Sequence, residues 1–254
     1  MLPYIEIPPL RLAEWFVLQP FGVLVAAGCI AGWLIARREA RLRGLETEVV
    51  EGVALWALLV GFPMASVFDV IFYYPELLRT DPLALLQFWR YMSSYGGFLG
   101  GTIGAVGYLL LRRKPILPYT DCLIVGLAVG WFFGRLGCSI VHDHPGVHTD
   151  FFLGVRFPDG ARHDLGLYEW LYTVAMLAVL FSIPRWRLRP GATLALVCLM
   201  YAPVRFGLDF LRAADRLYWG LTPGQYASVA VFGVSLLILW SLMRRRPAGA
   251  GSAS

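Results

Sequence analysis

Two arginines stand inside apolar runs, and each has neighbours able to take part in chemistry. Arg135 lies in Trp131-Phe132-Phe133-Gly134-Arg135-Leu136-Gly137-Cys138, and the chain turns polar at once after it with His142, Asp143 and His144. Arg205 belongs to the series Tyr201, Arg205, Asp209 and Arg212, whose spacing of i, i+4, i+8 and i+11 lays all four along one face of a helix. A charge in hydrocarbon costs about 2.5–3.5 kcal/mol on insertion scales, so such a face turns into a bundle and finds a partner there. Asp209 is within one turn of both Arg205 and Arg212. The guanidiniums outnumber the carboxylates, and the surplus positive charge in low dielectric suits a phosphate held bidentately. A structural ion pair that locks two helices is the plainer reading of the same residues.

Other candidates surround these two. Tyr95-Gly96-Gly97 opens an apolar run in which Gly97, Gly101 and Gly104 form a stripe of small residues. The stripe serves either close helix packing or room for a lipid. His142, Asp143, His144 and His148 include an HxH with a carboxylate, half of a zinc site that only Cys138 or His163 could complete. Hydrogen bonding or proton transfer is the preferred reading, so neither a metal nor a cofactor is expected. A histidine, with its ordinary pKa of about 6.5, is a suitable base for an entering thiol. Glu169, beside Tyr168, has two partners open to it, an arginine across the bundle or His163. Gln225 and Ser228 place polar atoms in a last apolar run. The four cysteines, Cys29, Cys122, Cys138 and Cys198, form no CxxC pair and read as small packing residues, Cys138 standing out by its neighbours.

The scaffold for these residues follows from composition. Of 254 residues 58% are hydrophobic and only 15% charged, against about 25% charged in a soluble domain. The chain reads as an all-α polytopic membrane protein. Runs near the 20 residues that a hydrocarbon core needs occur at Phe16–Ala36, Val53–Tyr74, Ser93–Leu111, Tyr119–Val141, Leu167–Ile183, Ala192–Leu211 and Gly224–Met243. These make seven transmembrane helices in a single domain over residues 1–246. Basic residues concentrate after the odd-numbered runs, in Arg37–Arg43, Arg112–Lys114, Arg185–Arg189 and Arg244–Arg246. Positive charge marks the cytoplasmic side, so the N-terminus is expected outside and the C-terminus in the cytoplasm. The same bias accounts for the net charge of +5 and excludes nucleic acid as its cause. Leucines and aromatics among charges at Pro75–Met92 suggest a helix lying in the outer interface. The long outer loop 142–166 suggests a small cap, with a hairpin around Pro158-Asp159-Gly160. The tail 247–254 is expected to be disordered.

Taken in order, these segments resemble the prolipoprotein diacylglyceryl transferase family over nearly the whole chain. Phe72-Tyr73-Tyr74-Pro75 with Asp81-Pro82-Leu83 is similar to the family's segment after its second span, and Ser93-Ser94-Tyr95-Gly96-Gly97 occupies its HGG position. Gly134-Arg135-Leu136-Gly137 resembles its GRLGN signature, and His163 with Leu167-Tyr168-Glu169 its HPSQLYE. Tyr201, Arg205, Asp209 and Arg212 fit its Y-x-x-x-R-x-x-x-E-x-x-R, and Gly224-Gln225 with Ser228 its GQ-x-x-S.

The resemblance implies a multi-pass enzyme of the bacterial cytoplasmic (inner) membrane. Such an enzyme moves the diacylglyceryl group of phosphatidylglycerol onto the lipobox cysteine of a prolipoprotein signal peptide and releases glycerol phosphate. The expected catalytic set comprises Arg135, Arg205, Tyr95, Asp143 and Tyr201 at family positions, with both arginines on the phosphate, together with His142, which matches no family position. The substrate-binding set comprises Gly96, Gly97, Gly134, Gly137, Cys138, Asp209, Arg212, Tyr168, Glu169 and Gln225. The partners implied are the lipid, the signal peptide and the bilayer.

Several family positions differ. Tyr95 stands for the family's histidine, Cys138 for the asparagine after GRLG, Asp143 for a glutamate and Val141 for a second asparagine. Phe21 stands for a first-span tyrosine, Gly166 for a glutamine, and Ser66 falls near a second-span arginine. His142 or His144 is expected to take over the role of the missing histidine. Two other readings fit these changes, a relative that uses another acceptor as transferase or hydrolase, and a non-catalytic lipid-binding membrane protein.

Overall fold

The computed structural model describes residues 1–244 apart from Glu6, Glu14, Trp15, 82–92 and 214–216. The N-terminal segment holds three short strands, β1 (Leu2–Pro3), β2 (Leu10–Ala13) and β3 (Phe16–Leu18). Helices α1 (Pro20–Leu42), α2 (Thr47–Tyr73), α3 (Leu77–Thr80), α4 (Ser94–Leu111) and α5 (Ile116–Val141) follow. Strands β4 (Pro145–His148), β5 (Val155–Phe157) and β6 (Gly160–Asp164) come next. Helices α6 (Leu165–Ser182), α7 (Ala192–Leu208) and α8 (Pro223–Arg244) complete the chain.

Among the described residues, six helices are long and apolar enough to cross a membrane: α1, α2, α5, α6, α7 and α8; α4 is a shorter apolar helix. Their composition explains them: with apolar side chains on every face, a helix satisfies its own backbone and needs no water. Pro20 sits at the first position of α1, where its fixed φ and missing N–H are tolerated. The chain before it, Phe16–Leu18, is a strand paired with Leu10–Ala13, so the apolar run from Phe16 is not helical from its start. Of the segment Pro75–Met92, Leu77–Thr80 forms one helical turn, and residues 82–92 lie outside the described residues, as does the tail 247–254.

The chain divides into two compact units, Arg37–Leu123 and the remainder. In the first, α4 lies along α2. A methyl added to Gly96 would come within 2.9 Å of the Ala65 Cα, and one at Gly100 within 2.7 Å of the Val60 carbonyl oxygen, while Gly104 abuts the Trp56 backbone. The packing stripe is therefore Gly96, Gly100 and Gly104, a four-residue period. It is not Gly97, Gly101 and Gly104, because Gly97 and Gly101 have only ordinary contacts nearby. Arg43 and Asp121 form a sealed ion pair at 3.2 Å in the same unit.

In the second unit, Gly28 and Gly32 of α1 meet Gly130 and Gly126 of α5 backbone to backbone. Val125, Ala128, Met176, Leu180 and Val197 join α5, α6 and α7 in one core. Within the loop 142–166, β5 and β6 form a hairpin closing at Phe157 and Gly160. They lie in a four-stranded sheet of order β1-β5-β6-β4, in which the N-terminal β1 runs parallel to β5.

Candidate functional site

Glu169 is the centre of the site. It sits in the second turn of α6 with its side chain 2% exposed. Arg135 Nε, from the last turns of α5, lies 2.9 Å from its Oε2, and Arg205 Nη1 of α7 lies 3.1 Å from its Oε1. The Tyr201 hydroxyl donates to the same carboxylate at 3.1 Å. Three helices thus converge on one carboxylate, and of the two partners open to Glu169 the arginine across the bundle is the one it takes. Trp131, one turn before Arg135, lies 4.4 Å beneath the guanidinium and meets Tyr201 edge-on.

A second carboxylate extends the network. Helix α7 ends at Leu208 and passes into a 3₁₀ turn, Asp209–Leu211. There Asp209 pairs with Arg205 at 2.9 Å and Arg212 at 3.2 Å, taking both partners that the spacing offers. The Thr222 hydroxyl donates to Asp209 Oδ2 at 2.5 Å. Thr222 caps α8 in a reciprocal box: its Oγ1 accepts from the Gln225 N–H, and Gln225 Oε1 accepts from the Thr222 N–H. Gln225 Nε2 reaches back to the Phe206 carbonyl. Gln225 is thus placed to hold the α7–α8 corner that carries Asp209.

At the end of α5, Arg135 Nη1 donates to Cys138 Sγ at 3.9 Å. His142 follows in the left-handed conformation, φ 51°, that stops the helix. Its Nδ1 donates to Asp164 at 2.5 Å, and its ring stacks on Tyr4. Asp164 also caps α6 through the Leu167 N–H, so His142 is tied into the joint between the two helices. Asp143 and His144 pair with each other, and Cys138, Asp143 and His144 gather within 4.8 Å. His148 is elsewhere, against the Asp159 carbonyl. His163 meets the Tyr168 hydroxyl at 2.9 Å, and burial holds its pKa below the usual histidine value.

The glycines differ in kind. A Cβ at Gly134 would meet nothing within 4 Å, whereas Gly137 lies against Phe21 and Gly166 against the backbone of Cys138 and Ser139. Gly96, Gly97 and Tyr95 lie on α4 in the other unit, and the Tyr95 side chain lies outside the described residues. Sequence reasoning missed Asp164, Thr222 and Trp131. A capping residue immediately before an apolar run was the available signal for the first two.

Apolar helices long enough to span a bilayer, with guanidiniums converging on a buried carboxylate, define a polytopic membrane protein with a polar centre at one end of its bundle. The family model described as prolipoprotein diacylglyceryl transferase matches residues 10–241. The chain belongs to that family. It is 31% identical over 275 residues to the phosphatidylglycerol–prolipoprotein diacylglyceryl transferase of Nitratidesulfovibrio vulgaris, covering the whole of both chains. The protein of that name in Chromohalobacter salexigens is 31% identical over 97% of this chain and 96% of its own. That of Gloeobacter violaceus is 28% identical over 91% of this chain and 90% of its own.

Proposed function

We propose that the chain is a phosphatidylglycerol–prolipoprotein diacylglyceryl transferase. The observation that carries the reading is the gathering of cations at the Glu169 centre. Three guanidiniums, Arg135, Arg205 and Arg212, gather on the carboxylates of Glu169 and Asp209, a basic cluster suited to holding a lipid phosphate bidentately. The open space at Gly134 supports a headgroup beside Arg135.

In the reaction, the sulfur of the lipobox cysteine attacks the glycerol carbon of the diacylglyceryl group. The C–S bond forms, and the bond from that carbon to the phosphate oxygen breaks. Its electron pair leaves with glycerol phosphate. Arg135 and Arg205 stabilise the charge growing on that oxygen, and Tyr201 holds Glu169 so that it orients both. Thiolate formation falls to the end of α5, where His142 and His144 lie. Replacing both by alanine should abolish transfer.

In this reading α4 is the seventh span. Its 18 residues extend about 27 Å at 1.5 Å each, close to a hydrocarbon core of about 30 Å. The N-terminus is outside and the C-terminus in the cytoplasm, in a bacterial inner membrane, with the Glu169 centre in the outer half. Residues 1–246 act as one membrane domain.

The test supplies purified protein with phosphatidylglycerol and a lipobox peptide and measures thioether product and glycerol phosphate together. Arg135→Ala and Arg205→Ala should each lower the rate by about 100-fold or more, the scale for losing a transition-state donor. Bound lipid with no product would replace the reading with that of a lipid-binding protein. Full product from Arg135→Ala would remove the phosphate role.

A further inference from the structure

Cys138, Asp143 and His144 each present one ligand atom, and the three atoms lie within 4.8 Å of one another. We propose that they hold a divalent cation of borderline softness, zinc foremost, and that its open position takes the acceptor cysteine's thiol. The second half rests on the transferase reading; the first does not.

The donor set is the first argument. A thiolate, an imidazole and a carboxylate together favour zinc over the hard cations magnesium and calcium. Three protein ligands leave one tetrahedral position free, the arrangement of a zinc site that does chemistry. Local structure is the second. Helix α5 ends at Val141, and the left-handed turn at His142 brings the next two residues back over Cys138. The other histidines bind outside this cluster, His142 to Asp164, His148 to the Asp159 carbonyl and His163 to Tyr168, whereas His144 pairs with Asp143 within it.

Access and surroundings agree. Cys138 is buried, while the side chains of His144 and Asp143 are 29% and 39% exposed, so an ion and an incoming thiol have an open approach. Arg135 donates to the Cys138 sulfur, an outer-shell N–H bond of the kind that orients a ligand atom. Its charge is offset by Glu169 at 2.9 Å. The site therefore adjoins the guanidinium proposed to hold the lipid phosphate.

The chemistry closes without another reactant. A free cysteine, with its pKa of about 8.5, is mostly protonated at neutral pH, whereas a coordinating thiol is deprotonated outright. The acceptor's S–H bond breaks as sulfur binds the cation, and the proton leaves to solvent on the exposed side. The sulfur lone pair then forms the C–S bond, and the C–O electron pair departs with glycerol phosphate. The cation's charge is unchanged.

The experiment titrates Co²⁺ into the metal-stripped full-length protein in detergent. Expected are one equivalent bound, tetrahedral visible bands and a sulfur-to-cobalt charge-transfer band. Cys138→Ser should remove that band although Cys29, Cys122 and Cys198 remain. His144→Ala, at a partly exposed position that spares the fold, should weaken binding at least tenfold. A lipobox peptide should intensify the charge-transfer band, and the same peptide with serine for cysteine should not. Zinc should restore transfer after chelation. An unaltered spectrum in Cys138→Ser or in His144→Ala, or no cobalt binding at all, overturns the site, and thioether formation by the same preparation would leave the transferase reading standing. A spectrum indifferent to the peptide, or full transfer by chelated protein, overturns the thiol role. Cobalt and peptide binding without product would refute the transferase reading and keep the site.

Discussion

Arg135 Nε lies 2.9 Å from Glu169 Oε2, and this pair ties the last turns of α5 to the second turn of α6 almost out of reach of the surface. The same carboxylate is shared with Arg205. Glu169 therefore sets the separation of two guanidiniums that would otherwise repel each other in a medium of low dielectric.

Glu169→Gln keeps the shape and removes the charge. Two buried guanidiniums then lack their common counter-ion, a change on the scale of about 3–5 kcal/mol for breaking a buried pair. Tyr201→Phe removes one neutral hydroxyl bond to the same group, worth about 1.5–3 kcal/mol at most because its acceptor is charged. Thermal unfolding in detergent should rank the variants in that order. Equal melting temperatures for Glu169→Gln and wild type would show that Glu169 does not hold the centre together.

Gln225 offers a second test, away from the guanidiniums. Its amide closes the cap of α8 and donates to the Phe206 carbonyl, and the capped Thr222 holds Asp209. Gln225→Ala leaves buried groups unpaired at about 1–3 kcal/mol each and lets Asp209 move away from Arg205. A lower melting temperature and a several-fold higher KM for phosphatidylglycerol are expected. An unchanged KM would confine Gln225 to stability.

What the sequence made legible follows the range of each interaction. Tyr201, Arg205, Asp209 and Arg212 could be placed on one face because helical period is local, and the structure keeps their pairings although α7 gives way to a 3₁₀ turn at Asp209. Glu169 as the hub was not legible, because which carboxylate reaches which arginine across a bundle depends on helix packing that no spacing encodes. The box at Thr222-Pro223-Gly224-Gln225 is written in the sequence as a capping residue with glutamine three places on, but the apolar run that follows makes Gln225 look like a polar atom within a span. Strand β1 was hidden for a different reason: its partner, β5, lies some 150 residues away.

Helix packing within the Arg37–Leu123 unit is tested by two glycines of α4. A methyl at Gly100 would sit 2.7 Å from the Val60 carbonyl oxygen, while one at Gly107 would meet nothing within 4 Å. Gly100→Ala should destabilise by about 1–3 kcal/mol, the scale of overpacking. Gly107→Ala should be neutral or gain up to about 1 kcal/mol, since alanine loses less backbone freedom in a helix. Both are read as melting temperatures in detergent. Equal losses at the two positions would contradict the four-residue packing stripe.

His163 provides a pH dependence whose sign follows from burial. It stands on β6, outside the spans, against the Tyr168 hydroxyl and near the Phe151 ring. Burial disfavours its imidazolium and lowers its pKa from the model-peptide value of 6.5. At pH values between the two pKa values the unfolded chain holds the extra proton and the folded chain does not. Stability from this group is therefore complete above about pH 6.5 and is lost as pH falls through the folded pKa. His163→Phe keeps a ring of similar size and cannot titrate. It also leaves Tyr168 without its partner, but that loss is the same at every pH. The melting-temperature advantage of wild type over the variant should shrink between about pH 7.5 and about pH 5. A gap that stays constant, or widens with acid, would show that His163 does not carry this linkage.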